Sequence, residues 1–262
     1  MSLLINAFSE LPDNQSCGHA VVYMANHIVG LESERLERFA PLQLSMIVNG
    51  FSNWPQCREC EQACGKIAQR LCDEDCSLKD EQFNAQNLAK LANALSKWPE
   101  SEECKLACEK IARCLSDKGY SLNQKQIEAR HLANLASGLS KWPESKECKR
   151  ACEKIAQHLC DEVDSLQDGH ATAQDLANLA NALTRWPEST VCRQACGKIA
   201  WRLCDKNYNL KNQQFTIQNL TSLVNALSVW PKKQGVPTGL QEDCVAPVRR
   251  GRHAEERALQ GP

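Results

Sequence analysis

Between residues 100 and 143 the apolar positions fall into two separate helical runs. Cys104, Ala107, Cys108, Ile111, Ala112 and Leu115 stand at i, i+3, i+4, i+7, i+8 and i+11, the spacing of one face of an α-helix. Ser101 precedes them as an N-cap, and Glu102 and Glu103 occupy the first turn, where the helix dipole favours negative charge. Gly119 is placed to end this helix. Leu122, matched by Leu78, Leu166 and Leu210, reads as an anchor tying the connection to the core. The second run is Leu132, Leu135, Ala136, Leu139 and Trp142, again one face. Pro143 is expected to stop it, because proline has no N–H to donate and disfavours helix in the residue before it. Neither helix can bury its stripe alone, so neighbouring pairs must stack.

The pattern returns along the chain. Trp54, Trp98, Trp142, Trp186 and Trp230 are each followed by proline and lie 44 residues apart. The segments that carry them read VNGFSNWP, ANALSKWP, ASGLSKWP, ANALTRWP and VNALSVWP. A worn copy, INAFSELP, sits at 5–12 with Leu11 in the tryptophan place. A fixed period without Gly-rich or alternating segments predicts an all-α fold: a right-handed solenoid of 44-residue two-helix repeats. The units are 13–55, 56–99, 100–143, 144–187 and 188–231, preceded by a half repeat, 1–12, that supplies a second helix only. That half repeat is expected to leave Leu4, Ile5, Phe8 and Leu11 uncovered and open to self-association, unless residues 13–30 fold back over them. Residues 232–262 match no unit, are polar and Gly/Pro-rich, and are expected to form a disordered tail.

Composition narrows the function classes. With 42% apolar and 24% charged residues the chain is globular, and no run approaches the ~18 apolar residues of a membrane span. The opening MSLLINAFSELPD lacks the basic region and cleavage site of a secretory signal. Thirty-one basic against 32 acidic side chains leave a net charge of −1, which argues against nucleic acid as a partner held by bulk charge.

Sixteen cysteines invite a chemical reading. Two recur per unit, as Cys60/Cys64, Cys104/Cys108, Cys148/Cys152 and Cys192/Cys196, while the first unit keeps Cys17. Both members of each pair fall on the apolar stripe. Cβ atoms at i and i+4 are ~5–6 Å apart, beyond the ~3.5–4.5 Å of a disulfide. The second unit also holds Cys57, Cys72 and Cys76, but Cys57 and Cys72 would lie about 22 Å apart along one helix, too far to share a metal. The expectation is buried structural cysteine in a reducing compartment, with no metal and no cofactor.

The second helix carries a different signal. Asn49, Asn93, Asn181 and Asn225, each five residues before a Trp, project away from the apolar face. Asn53, Lys97, Lys141 and Arg185 follow four residues later on the same side. Asparagine prefers caps and turns, so its return in mid-helix needs a cause. It is either a polar ladder that hydrogen-bonds a partner, or a residue copied by duplication or bonded to a neighbouring turn.

No catalytic constellation is present. His19, His27, His131, His158, His170 and His253 do not recur with the period, and phosphate loops, HExxH and GxSxG are absent from the sequence. The column Lys66, Lys110, Lys154 and Lys198 reads as a solvated face. The chain is expected not to be an enzyme.

The run LSKWP, as such at 95–99 and 139–143 and varied at 51–55, 183–187 and 227–231, resembles the hallmark of the SKWP-repeat family. The surrounding NLANALSKWP, preceded by an ACEKIA-type helix, is similar as well, over about residues 5–231. These are tandem-repeat effectors that plant-pathogenic bacteria of the Ralstonia and Xanthomonas type deliver by type III secretion. The resemblance implies HEAT/armadillo-like units, no catalytic residues, and a virulence function as a protein-interaction scaffold for host proteins in the plant cytoplasm. The chain shows no polar leader before its repeats and is expected to be a short or truncated member, which keeps the bacterial cytoplasm as an alternative location. An RNA-binding helical-repeat protein is the alternative function, since such repeats can read one base each. That reading wants a basic face and side chains that vary by unit.

Overall fold

The computed structural model describes residues 2–9, 11, 14–74, 76, 78, 83–117, 120, 122, 127–161, 171–204 and 216–229. Twelve helices and no strand occur among them. In chain order they are α1 (Ser2–Ser9), α2 (Gln15–Gly30), α3 (Ser33–Leu36), α4 (Pro41–Phe51), α5 (Arg58–Cys72), α6 (Ala85–Leu95), α7 (Glu102–Ser116), α8 (Ala129–Leu139), α9 (Lys146–Asp161), α10 (Ala173–Leu183), α11 (Thr190–Cys204) and α12 (Ile217–Ser228). Trp230, Gly119, Leu166, Leu210 and the tail 232–262 lie outside the described residues.

The helices pack in two layers. In the first, α2, α5, α7, α9 and α11 touch in succession; in the second, α1, α4, α6, α8, α10 and α12 do. Helices α1, α4, α6, α8 and α10 also pack on the first-layer helix that follows each of them, α6 on α7 and α8 on α9. The core is the seam between layers. It holds Ile67, Leu71, Leu88, Leu91, Leu95, Ile111, Leu115, Leu135 and Leu139, all without exposed surface.

Local chemistry sets the helix ends. Ser101 Oγ accepts the Cys104 N–H at 3.3 Å and Ser145 Oγ the Cys148 N–H at 3.4 Å, while Cys57 Sγ takes the same role toward Cys60 at 3.4 Å. In the second layer the N3 side chain reaches back to the N-cap N–H. Gln43 Oε1 accepts from Ala40 at 2.9 Å, His131 Nδ1 from Glu128 at 3.2 Å and Asp175 Oδ2 from Thr172 at 3.0 Å. His131 therefore serves as a buried cap.

Two boundaries differ from the sequence reading. The helix that starts at Glu102 ends at Ser116, because Asp117 turns to an extended conformation (ψ 142°) before Gly119 is reached. The helix expected to run to Pro143 ends at Leu139. There Ser140 Oγ donates to Ser137 O at 3.0 Å, and the N–H groups of Lys141 and Trp142 turn to Gly138 O and Leu139 O, three residues back. Ser52, Ser96 and Thr184 make the equivalent bond, to Asn49 O, Asn93 O and Asn181 O at 2.7–2.8 Å. The tightened turn swings each Trp out of its own helix. The first unit carries a short helix, α3, in its connection.

The freed indoles bridge units. Trp98, Trp142 and Trp186 are buried, and their Nε1 groups donate to Pro55 O, Pro99 O and Pro143 O at 3.2, 3.1 and 3.0 Å, each 43 residues earlier. Trp54 is half-buried over Gly18, its Nε1 without a partner. In the second layer the backbones approach closely: a Cβ on Gly138 would lie 2.5 Å from the carbonyl carbon and oxygen of Ala92. Leu78 and Leu122 are buried and pack against the core. In α1 Ile5 is fully buried and Phe8 half-buried, whereas Leu3 and Leu4, together with Leu11 beyond the helix, are exposed.

Candidate interaction surface

Stacking buries most of α6, α8 and α10 and leaves one stripe on each. In α6 and the turn after it, Gln86, Lys90, Asn93 and Lys97 are exposed or half-buried, and every residue between them is buried. They are spaced four, three and four residues apart, which keeps them on one helical face. In α8 and its turn the stripe is Arg130, Asn134, Ser137 and Lys141; in α10 it is Gln174, Asn178, Asn181 and Arg185. The α4 stripe is Leu42, Met46, Asn49 and Asn53, and α12 presents Gln218, Ser222, Asn225 and Val229. Because the helices lie side by side, these stripes form one amide-rich band across the second layer.

The asparagine positions differ in depth. Asn181 and Asn225 are exposed, while Asn49 and Asn93 are half-buried. Lys97, Lys141 and Arg185 are exposed. Gln174 donates to Asn178 Oδ1 at 2.9 Å along the stripe. Arg130 pairs with Glu128, Nε to Oε2 at 2.8 Å and Nη2 to Oε1 at 3.1 Å.

The lysine column is not a solvated face. Lys66, Lys110, Lys154 and Lys198 are half-buried, and each ammonium donates to carbonyls that close the preceding first-layer helix. Lys66 reaches Val29 O at 2.6 Å and also Leu31 O; Lys110 reaches Asp73 O at 2.7 Å. Lys154 reaches Asp117 O at 2.8 Å and Tyr120 O at 2.7 Å, and Lys198 reaches Cys160 O. The last carbonyls of a helix have no intrahelical partner and carry the negative end of its dipole, so a cation satisfies both needs. Desolvation draws the Lys154 ammonium below its ordinary pKa. Only the recurrence of the lysine was visible in the sequence; its acceptors are backbone atoms of another unit.

The paired cysteines line the first-layer seam. Cys60, Cys64, Cys104, Cys108, Cys148, Cys152, Cys192 and Cys196 have no exposed surface. Cys108 and Cys196 offer their thiols to Ala92 O and Ala180 O at 3.9 Å. Burial pushes the thiol of Cys104 up to about 11, that of Cys148 to about 12 and that of Cys192 to about 11. A thiol that resists ionisation is a poor nucleophile and a poor metal ligand. Among the described residues no three His, Cys, Asp or Glu side chains are grouped to hold a metal ion, and no helix is long and apolar enough to cross a membrane.

No protein-family model matches the chain, and a search of curated proteins and of solved structures gives no match either.

Proposed function

We propose that the protein is a non-catalytic protein-interaction scaffold whose second layer is the docking face. We read its helices as a right-handed α-α superhelix of the HEAT/armadillo-like kind, with a 44-residue repeat. The recurrence of the Trp–Pro bond 43 residues back supports that period. By its resemblance to the SKWP-repeat family, the chain acts as a type III secreted virulence effector on host proteins in the plant cytoplasm.

One observation carries the reading: the polar stripe that recurs on α6, α8 and α10 in otherwise buried surroundings. Amide side chains offer both donor and acceptor, the complement of a peptide backbone. The test is capture from plant extract, with and without nuclease, by the wild-type chain and by Asn93→Ala/Asn181→Ala/Asn225→Ala. Nuclease-resistant capture that the triple variant loses, with an unchanged melting curve, is the expected result. Capture that nuclease abolishes, or that the variant retains, would overturn the reading.

A further inference from the structure

The stripe carries charge of one sign. Lys97, Lys141 and Arg185 are exposed, one per unit, and half-buried Lys90 lies two turns before Lys97 on the same stripe. None of the four is ion-paired among the described residues. Within α4, α6, α8, α10 and α12 the sole acidic residue is Asp175, which is buried and engaged by the Thr172 N–H and hydroxyl. Glu128, at the N-cap of α8, is held by Arg130. Carboxylates lie on first-layer helices, as Glu59, Glu61, Glu102, Glu103, Glu109, Glu147 and Glu153, and in the turns that lead into that layer, where exposed Glu100, Glu144 and Glu188 follow each cation by three residues and Glu188 is held by Lys149. What sets the second layer apart is that its helices carry no exposed carboxylate, whereas the first-layer helices mix both signs.

We propose that this face binds an extended acidic protein segment with a carboxylate at every third residue. The inference rests on the reading of the second layer as a protein-docking face. Packed helices lie ~8–10 Å apart, and an extended chain advances ~3.3 Å per residue, so about three residues span one unit. A segment laid across α6, α8 and α10 sets its acidic side chains against Lys97, Lys141 and Arg185 in turn. Asn93, Ser137 and Asn181 then meet the peptide groups between them. Each exposed ion pair is weak and screened by salt, so the three act together or not at all.

Nucleic acid is also anionic, but the face does not suit it. Single strands are held by stacking bases on aromatic rings as well as by charge. The exposed aromatic side chains among the described residues, Tyr23 and Trp201, both lie on first-layer helices.

The probe is a random peptide library of about 12 residues, long enough to cross four units when extended. It is selected against the full chain at low salt, and enriched peptides are remeasured by fluorescence anisotropy. Acidic residues at i, i+3 and i+6 are expected, with affinity falling about tenfold or more for Lys97→Glu/Lys141→Glu/Arg185→Glu and again as salt is raised. The milder Lys97→Gln/Lys141→Gln/Arg185→Gln variant should lose less, and both should melt like the wild type. Enriched peptides without acidic excess, or unaffected by the charge variants yet lost with Asn93→Ala/Asn181→Ala/Asn225→Ala, would overturn the acidic partner and spare the docking face. Peptides indifferent to both sets, or no enrichment, would remove both. An oligouridine that binds more tightly than any selected peptide, and is lost with the charge variants, would overturn the proposal in favour of nucleic acid.

Discussion

The indole Nε1 of Trp142 donates to the carbonyl oxygen of Pro99, 3.1 Å away and 43 residues earlier. The same residue type that fills the gap between units thus satisfies a backbone acceptor of its neighbour. A buried Trp ring removes ~150–250 Å² from water, so Trp142→Ala is expected to destabilise by ~3–5 kcal/mol. Trp142→Phe keeps part of the packing and leaves Pro99 O unpaired, at a smaller loss. Urea denaturation of both variants checks this, and wild-type stability in Trp142→Ala would exclude the bridge.

Two kinds of glycine position should respond with opposite signs. Gly138→Ala drives a methyl group to 2.5 Å from the Ala92 backbone and must push α8 away from α6. Gly65 and Gly197 lie mid-helix, with nothing within 4 Å of the point where a Cβ would stand. Alanine there is expected to stabilise by up to ~1 kcal/mol through helix propensity. Melting temperatures of the three single variants give the comparison.

The lysine column should matter more than its polarity suggests. Lys154→Met removes the donor that closes α7 through Asp117 O and Tyr120 O, and is expected to lose roughly 0.5–2 kcal/mol. Lys141→Met, on the exposed stripe, should stay within about 0.5 kcal/mol of wild type. Equal melting temperatures for the two variants would contradict the capping role.

Stability should fall in alkali under reducing conditions. Below about pH 9, the ordinary thiol value, cysteine is protonated in both the folded and the unfolded chain, and burial of the neutral thiols contributes in full. Above it the unfolded chain releases protons that Cys104 holds to about 11, Cys148 to about 12 and Cys192 to about 11. The contribution is therefore lost as pH rises from about 9 toward these values. Cys104→Ala/Cys148→Ala/Cys192→Ala should be less stable at neutral pH but should lose less between about pH 8 and about pH 10.5. Parallel slopes for variant and wild type would refute it.

Helical content was legible from the spacing of Cys104, Ala107, Cys108 and Ile111, because a period of 3.6 is a property of neighbours in sequence. Ser101 as a cap was legible for the same reason. The role of Lys110 was not, since its acceptor is the backbone of Asp73, 37 residues away, and a carbonyl leaves no mark in a sequence. The end of α8 at Leu139 was missed because the Ser140 hydroxyl, bonded to Ser137 O, ends the helix before Pro143 can. The stripe position of Asn93 could be read by projection. Its half-buried depth could not, because the neighbouring unit sets it.

The Trp–Pro pair has a consequence for how such a chain can change over time. The proline carbonyl accepts from the indole of the unit that follows, and the tryptophan beside it donates to the proline of the unit before. Both halves of the junction travel in one dipeptide. A unit lifted from one position and set down at another brings a complete plug and socket, and the flanking units need no compensating substitution. Gain or loss of a whole unit is then far milder for this architecture than an insertion of a few residues within a helix, which would disturb the one indole and carbonyl that flank it.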